Sequence, residues 1–209
     1  MAMPNDTDDS PQALERLLNQ IRACRYCEGA LPLGPRPVLR ARVTARLLIV
    51  GQAPGLRVHE TGIPWNDPSG DRLRLWLGLE RDTFYDAARI AIIPMGLCYP
   101  GRNPRGGDLP PRPECAPRWF SNVLSLLPHV ETTILAGAYA QQGCLGKRAK
   151  SSLTETVQAW RDYAPEYFPL PHPSFRNNRW LLNHPWFAAE LLPALRKCVH
   201  HLLETAQEN

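Results

Sequence analysis

Residues 47 to 73 read LLIVGQAPGLRVHETGIPWNDPSGDRL, and this stretch decides the fold. Leu47, Leu48, Ile49 and Val50 form a continuous apolar run that stops on Gly51. An unbroken run of this length, rather than an alternating one, marks a strand buried on both faces of a parallel sheet. The segment after Gly51 is crowded for a plain connection. Gln52, Pro54, Gly55, His59, Thr61, Gly62, Pro64, Trp65, Asn66, Asp67, Ser69 and Gly70 all precede Arg72, where helical spacing resumes. Long loops at the carboxyl ends of parallel strands are where open α/β proteins bind ligands. Trp65, set between Pro64 and Asn66, strengthens that reading, because a turn tip has little packing use for an indole.

The rest of the chain repeats the pattern of strand and helix. Ser10 and Pro11 read as an N-cap and first helical residue, with Leu14, Leu17, Leu18 and Ile21 at helical spacing. Further helices are expected from Arg72 to Leu79, Cys115 to Leu127, Ala138 onward, Ser151 (as cap) to Trp160, and Pro185 to Glu204. Strands are expected at Ile90 to Met95, Thr132 to Ala136 and Tyr167 to Leu170. Four strands alternating with helices predict an α/β fold, a three-layer α/β/α sandwich around a four-stranded, mostly parallel sheet. A length of 209 residues fits one domain, with residues 10 to 209 forming it and the polar, acidic residues 1 to 9 expected as a disordered tail.

Composition narrows the classes. Residues 1 to 9 lack a basic and apolar secretory signature, and no apolar run is long enough to span a bilayer, so a soluble cytoplasmic protein with no membrane partner is expected. The 22 prolines are too many for a helical bundle and too dispersed for a linker, which implies ordered, irregular connections. A net charge of +4, from 24 basic and 20 acidic residues, permits nucleic-acid binding without arguing for it.

Four of the six cysteines pair off: Cys24 with Cys27 in a C-x-x-C turn, and Cys98 with Cys115 around the loop YPGRNPRGGDLPPRPE. A disulfide framework is out of place in a reducing compartment, whereas four thiolates suit either zinc or an iron-sulfur cluster. Cys144 and Cys198 read as core residues.

Taken in order, these motifs resemble the uracil-DNA glycosylase superfamily, especially its iron-sulfur branches, families four and five. Gly51-Gln52-Ala53-Pro54-Gly55 is similar to the first glycosylase motif, and Gly62 to Gly70 lies where the branch carries its base-stacking aromatic, here Trp65. His172-Pro173-Ser174 matches the second motif, and the cysteine pattern fits, including the gap between Cys98 and Cys115. The resemblance spans roughly Cys24 to Leu192. It implies a structural [4Fe-4S] cluster on Cys24, Cys27, Cys98 and Cys115, and a monofunctional DNA glycosylase, expected as a monomer, that excises uracil or another deaminated base. A catalytically altered DNA-binding protein of the same fold is the alternative.

Each residue then has a physical task. Trp65 offers a π-face to the flipped base, with Asn66 as a candidate reader of its edge. Gln52 and Ala53 supply backbone N–H groups at the strand end beside Pro54 and Gly55. His172 hydrogen-bonds the charge developing on the departing base. Ser174, Phe175 and Arg176 lie where the superfamily places the wedge that fills the gap in the duplex, and Arg102 and Arg105 are candidate phosphate contacts. The catalytic carboxylate is displaced: the first motif carries Ala53 and Gln52 where relatives carry an acid, so Asp67 is the best substitute, with Glu60 and Asp71 as rivals. A second departure is Pro94-Met95-Gly96-Leu97-Cys98, which lacks the asparagine that reads uracil in family four and leaves hypoxanthine and xanthine credible substrates.

Overall fold

A computed structural model describes residues 11 to 204, so Ser10 and the expected tail lie outside the described residues. In chain order the elements are α1 (Pro11–Arg22), β1 (Leu47–Val50), α2 (Leu56–Thr61), α3 (Pro68–Leu77), α4 (Arg81–Tyr85), β2 (Ile90–Ile92), α5 (Cys115–Leu124), β3 (Thr132–Ala136), α6 (Ala138–Leu145), α7 (Leu153–Gln158), β4 (Tyr167–Leu170), α8 (Asn178–Asn183) and α9 (Leu192–Glu204).

The four strands form one sheet in the order β2-β1-β3-β4, parallel at every pairing. Side chains of β1 divide between two cores, as the two-residue period of a strand requires. Leu47 and Ile49 pack with Leu73 and Leu77 of α3 and with Leu195 and Val199 of α9. Leu48 and Val50 pack with Leu14, Leu18 and Ile21 of α1 and with Val123 of α5. Helices thus cover both faces of the sheet, which is the expected α/β architecture. Each leucine or isoleucine so buried contributes roughly 1.5–3 kcal/mol, and this double coverage explains why β1 has no polar face. Pro169 is tolerated within β4 because that strand lies at the sheet edge.

Several boundaries differ from the expectation, each for a local reason. The helix expected at Arg72 begins at Pro68, because Asp67 accepts a hydrogen bond from the Gly70 N–H at 2.8 Å and Pro68 occupies the first helical position. The crowded loop also contains α2, which ends on Gly62 with φ of 69°. As a regular strand β2 stops at Ile92, although the Ile93 and Met95 N–H groups still donate to the Ile49 and Gly51 carbonyls, both at 3.0 Å, so backbone pairing with the β1 end runs on to Met95. Ser152, not Ser151, caps α7, receiving the Glu155 N–H at 3.1 Å, and α7 ends at Gln158 ahead of a separate 3₁₀ turn at Trp160–Asp162. The last helix opens with a π turn, Phe187–Leu191, before α9; Pro193 has no N–H to return to Ala189. Among the described residues no helix is long and apolar enough to cross a membrane.

Because all four strands run the same way, their carboxyl ends share one edge. Gly51 follows β1, Gly137 follows β3 and His172 follows β4 shortly after its end. The chain leaves β1 for β2 on one side and then crosses to β3 on the other, so the order reverses at β1. Such a switch point opens a crevice above the strand ends.

Candidate active site

A cavity of about 640 Å³ fills that crevice. Gln52, Ala53, Pro54, Gly55, Trp65, Asp67, His172, Ser174, Phe175 and Arg176 all line it, bringing both sequence motifs to one place. Asn66 does not line it, and its amide oxygen accepts a hydrogen bond from Arg81 Nη2 at 3.1 Å. Arg102 lines the cavity and Arg105 does not.

Trp65 is held in an unusual conformation. Its φ is 55°, a left-handed backbone that costs an aromatic residue of order 1–3 kcal/mol and persists only where its surroundings enforce it. Two glycines make the space. A Cβ on Gly51 would lie 2.8 Å from the indole, and a Cβ on Gly70 would collide with the Trp65 carbonyl. The indole leans on His172, ring centroids 5.6 Å apart and planes tilted by 34°. Trp65 and the second motif are therefore parts of one assembly.

Asp67 reaches the cavity from the N-terminus of α3. One oxygen accepts the Gly70 N–H, and the other lies 3.9 Å from the point a Cβ on Gly55 would occupy. The rival acids are placed elsewhere. Asp71 pairs with Arg74, and neither it nor Glu60 lines the cavity. His172 is pushed below its ordinary value of 6.5 by burial, against an upward pull from Asp67, so its imidazole is neutral at pH 7. Its backbone is pinned on two sides: Asn177 Nδ2 donates to the His172 carbonyl at 2.7 Å, and Arg72 of α3 donates to the Ser174 carbonyl at 3.0 Å. Gly137, with φ of 94°, keeps the neighbouring strand end clear of the His172 side chain.

Sequence reasoning missed Asp108. It lies in the loop between Cys98 and Cys115 and lines the cavity with Tyr99, Gly106 and Gly107. Its carboxyl oxygen is 3.3 Å from the same point above Gly55 that Asp67 approaches. Burial raises its pKa, the Asp67 charge adds to that, and Arg102 and Arg176 oppose it. The available signal was Gly106-Gly107-Asp108, a glycine pair that takes φ of 93° and 83° and turns the following acid inward. Gln52 also gains a role, since its Nε2 donates to the Leu109 carbonyl at 3.2 Å and ties the first motif to this loop.

Phe175 stands at the cavity mouth, 72% exposed, with the Arg176 guanidinium 5.8 Å from its ring centroid. The same guanidinium packs over Gly106 and Gly107. His59 and His184 lie outside the cavity lining: His59 is buried beside Tyr99, and His184 stacks on Trp180 at 4.3 Å.

Cys24, Cys27, Cys98 and Cys115 line a second cavity, whose Gly96 lies close to Ala53 of the first. Three separate segments deliver them: the turn after α1, the chain beyond β2 and the first residue of α5. None of the six cysteines is in a disulfide. Burial pushes the Cys98 thiol up to about 12 and the Cys115 thiol up to about 11. The Leu97 N–H points at the Cys115 sulfur at 3.3 Å, and Arg112 pairs with Glu114 at 2.6 Å at the rim. Although the four sulfurs share this cavity, no group of three or more His, Cys, Asp or Glu among the described residues is placed to hold a metal ion. A single tetrahedral zinc draws sulfurs to about 2.3 Å, whereas a four-iron cluster is itself several ångströms across and takes its thiolates from farther apart. Cys144 and Cys198 pack against the two cores.

A comparison with protein-family models gives one match, described as the Uracil DNA glycosylase superfamily, over residues 40–196. The matched stretch holds all four strands and both motifs, and it begins after Cys24 and Cys27.

Proposed function

The chain belongs to the uracil DNA glycosylase superfamily, and from that premise we propose that it is a monofunctional DNA glycosylase acting on uracil or another deaminated base in DNA. The observation that carries this reading is the convergence of Trp65, Asp67 and His172 in one cavity at the switch point of the sheet. A glycosylase must draw its target nucleotide out of the stack and break the bond between deoxyribose and base. Trp65 offers the extruded base a fixed π-face, worth about 1–3 kcal/mol for stacking. As the bond lengthens, positive charge grows on the sugar and negative charge on the base. Asp67, with one oxygen free of the helix cap, stabilises the first and orients water. Neutral His172 donates a hydrogen bond to the second, the kind of preorganised donor worth roughly 2.7–4 kcal/mol. No lysine lines the cavity among the described residues, so water rather than a Schiff base is the nucleophile.

Phe175 and Arg176 serve as the wedge and its phosphate partner, because an exposed ring at the cavity mouth can occupy the space a flipped base vacates. The four clustered cysteines fit an iron-sulfur cluster by their all-sulfur donor set and shared cavity. Cys24, Cys27, Cys98 and Cys115 would hold such a cluster, which would supply no step of the hydrolysis and would tie α1 to the loop that carries Asp108. As-isolated protein should be brown, with about four irons per chain. A colourless protein with one zinc overturns that assignment.

The test of function is purified protein on duplex and single-stranded oligonucleotides carrying uracil, hypoxanthine or xanthine, followed by alkaline cleavage at abasic sites. Strand cleavage on at least one is expected. Cleavage of none rejects the enzyme and leaves the second reading, a DNA-binding member with altered catalysis. One observation favours that second reading: Gln52 is engaged with Leu109 and part of Asp67 with Gly70, as purely structural groups would be.

A further inference from the structure

Two carboxyl groups, not one, face the reaction cavity. Asp67 and Asp108 come from loops about forty residues apart, yet both carboxyl oxygens lie within 4 Å of the point where a Cβ on Gly55 would sit. Their surroundings differ. Asp67 stands at the N-terminus of a ten-residue helix and accepts a backbone N–H, an arrangement suited to a carboxylate. The Asp108 carboxyl makes no hydrogen bond or ion pair with any described residue. The charged and titratable groups facing it are Asp67, Tyr99, Arg102 and Arg176, with His172 in the same cavity.

The loop is built to hold Asp108 in this place. Asn103 N–H donates to Gly107 and Gly106 N–H to Asn103, both at 2.8 Å, closing the turn before Asp108. Arg102 and Asp108 form an antiparallel bridge, and the Leu109 N–H reaches the Gly101 carbonyl at 2.8 Å. Gln52 then fastens Leu109 to the strand end, and Arg176 covers the two glycines. A surface loop with no role in the site has no need of this support.

We propose that Asp108 is the acid of the reaction, giving a proton to the departing base while Asp67 takes one from water. This inference rests on the glycosylase reading above. In the step, the C1′–N bond breaks with its electron pair passing to the base, which receives the proton of the Asp108 carboxyl. The water oxygen bonds C1′ and its proton passes to Asp67. The products are a neutral free base and an abasic deoxyribose, and solvent then returns a proton to Asp108 and removes one from Asp67. Two carboxyls at one site commonly divide the roles of acid and base. Burial and the neighbouring Asp67 charge hold Asp108 above its ordinary value of 3.8, in the direction an acid requires. The less acidic the departing base, the more it gains from the added proton.

Single-turnover excision by wild type, Asp108→Asn and Asp108→Ala, measured across pH, tests the proposal. Wild-type rates should fall as pH rises through the Asp108 titration, and both variants should be slower by about 100-fold and lose that limb. The penalty should also track the leaving group, being about ten-fold smaller for 5-fluorouracil than for uracil, since a more acidic base of the same shape needs less protonation. A structural residue would slow all substrates alike. Asp108→Asn with wild-type rate, an unchanged alkaline limb or no leaving-group dependence overturns the acid while the glycosylase stands. A wild-type protein that excises nothing overturns both.

Discussion

The two loops that enclose the cavity are built in opposite ways. Residues 51 to 70 lean on one distant ring, His172 against Trp65, but are shaped mainly by short-range contacts: Asp67 caps the helix immediately after it, and Gly70 makes room for the carbonyl of Trp65 five residues earlier. Residues 98 to 115 are organised by long-range ones. Gln52 holds Leu109, Arg176 covers Gly106 and Gly107, and Cys98 and Cys115 meet Cys24 and Cys27. The first loop supplies the stacking platform and one carboxylate. The second supplies the neighbouring carboxyl, its turn closed by its own backbone and its path fixed by three other parts of the chain. A self-contained loop tolerates distant change, whereas a loop assembled at long range should respond to substitutions far from it in sequence.

That difference can be broken by mutation. The largest effect is expected in the chemistry: Asp67→Asn should slow excision about 10²- to 10⁴-fold and His172→Ala about 10²- to 10³-fold, measured under single turnover with binding to the oligonucleotide followed separately. Rates near wild type for both would move the site away from this cavity.

Next comes the self-contained loop. Gly70→Ala puts a Cβ against the Trp65 carbonyl and should cost on the order of 3 kcal/mol, which for a domain of this size lowers the melting temperature by roughly 6–12 °C. An unchanged melting curve would mean that the Trp65 backbone is not held as described. The smallest effect concerns the seam between the loops. Gln52→Ala removes one neutral hydrogen bond, worth about 1 kcal/mol, and should slow excision about five-fold with little change in melting temperature. If Gln52→Ala were as damaging as Asp67→Asn, the glutamine would be acting on substrate rather than on the second loop.

His172 also makes stability depend on pH. Folding depresses its pKa below 6.5, so the unfolded chain binds a proton first as pH falls through that value. Stability is therefore expected to decline on acidification below 6.5, and His172→Gln should remove that share of the decline in denaturation curves measured between pH 7 and 5.

Much of the fold was legible in order along the chain. Short, mainly apolar runs marked the four strands, because burial on both faces favours apolar residues, although β3 opens with the buried pair Thr132 and Thr133. α3 starts four residues before the helical spacing that begins at Arg72, because Asp67-Pro68 is itself a helix start, a cap and a first-turn proline with no apolar periodicity to show it. The short α2, α4 and α8 carried too few turns for a periodic signal.

By itself, then, the sequence determined the sheet, its two apolar cores, the two motifs at the strand ends and the four thiols, because each is a local pattern that adjacent residues impose on one another. Tertiary structure alone decided that Asn66 turns to Arg81, that Gln52 is a tether and that Asp108 stands beside Asp67. Those outcomes depend on which distant backbone offers a partner or a space. The Trp65 loop carries the marks of a site in its own residues, whereas the approach of Asp108 to Asp67 depends on contacts across the fold.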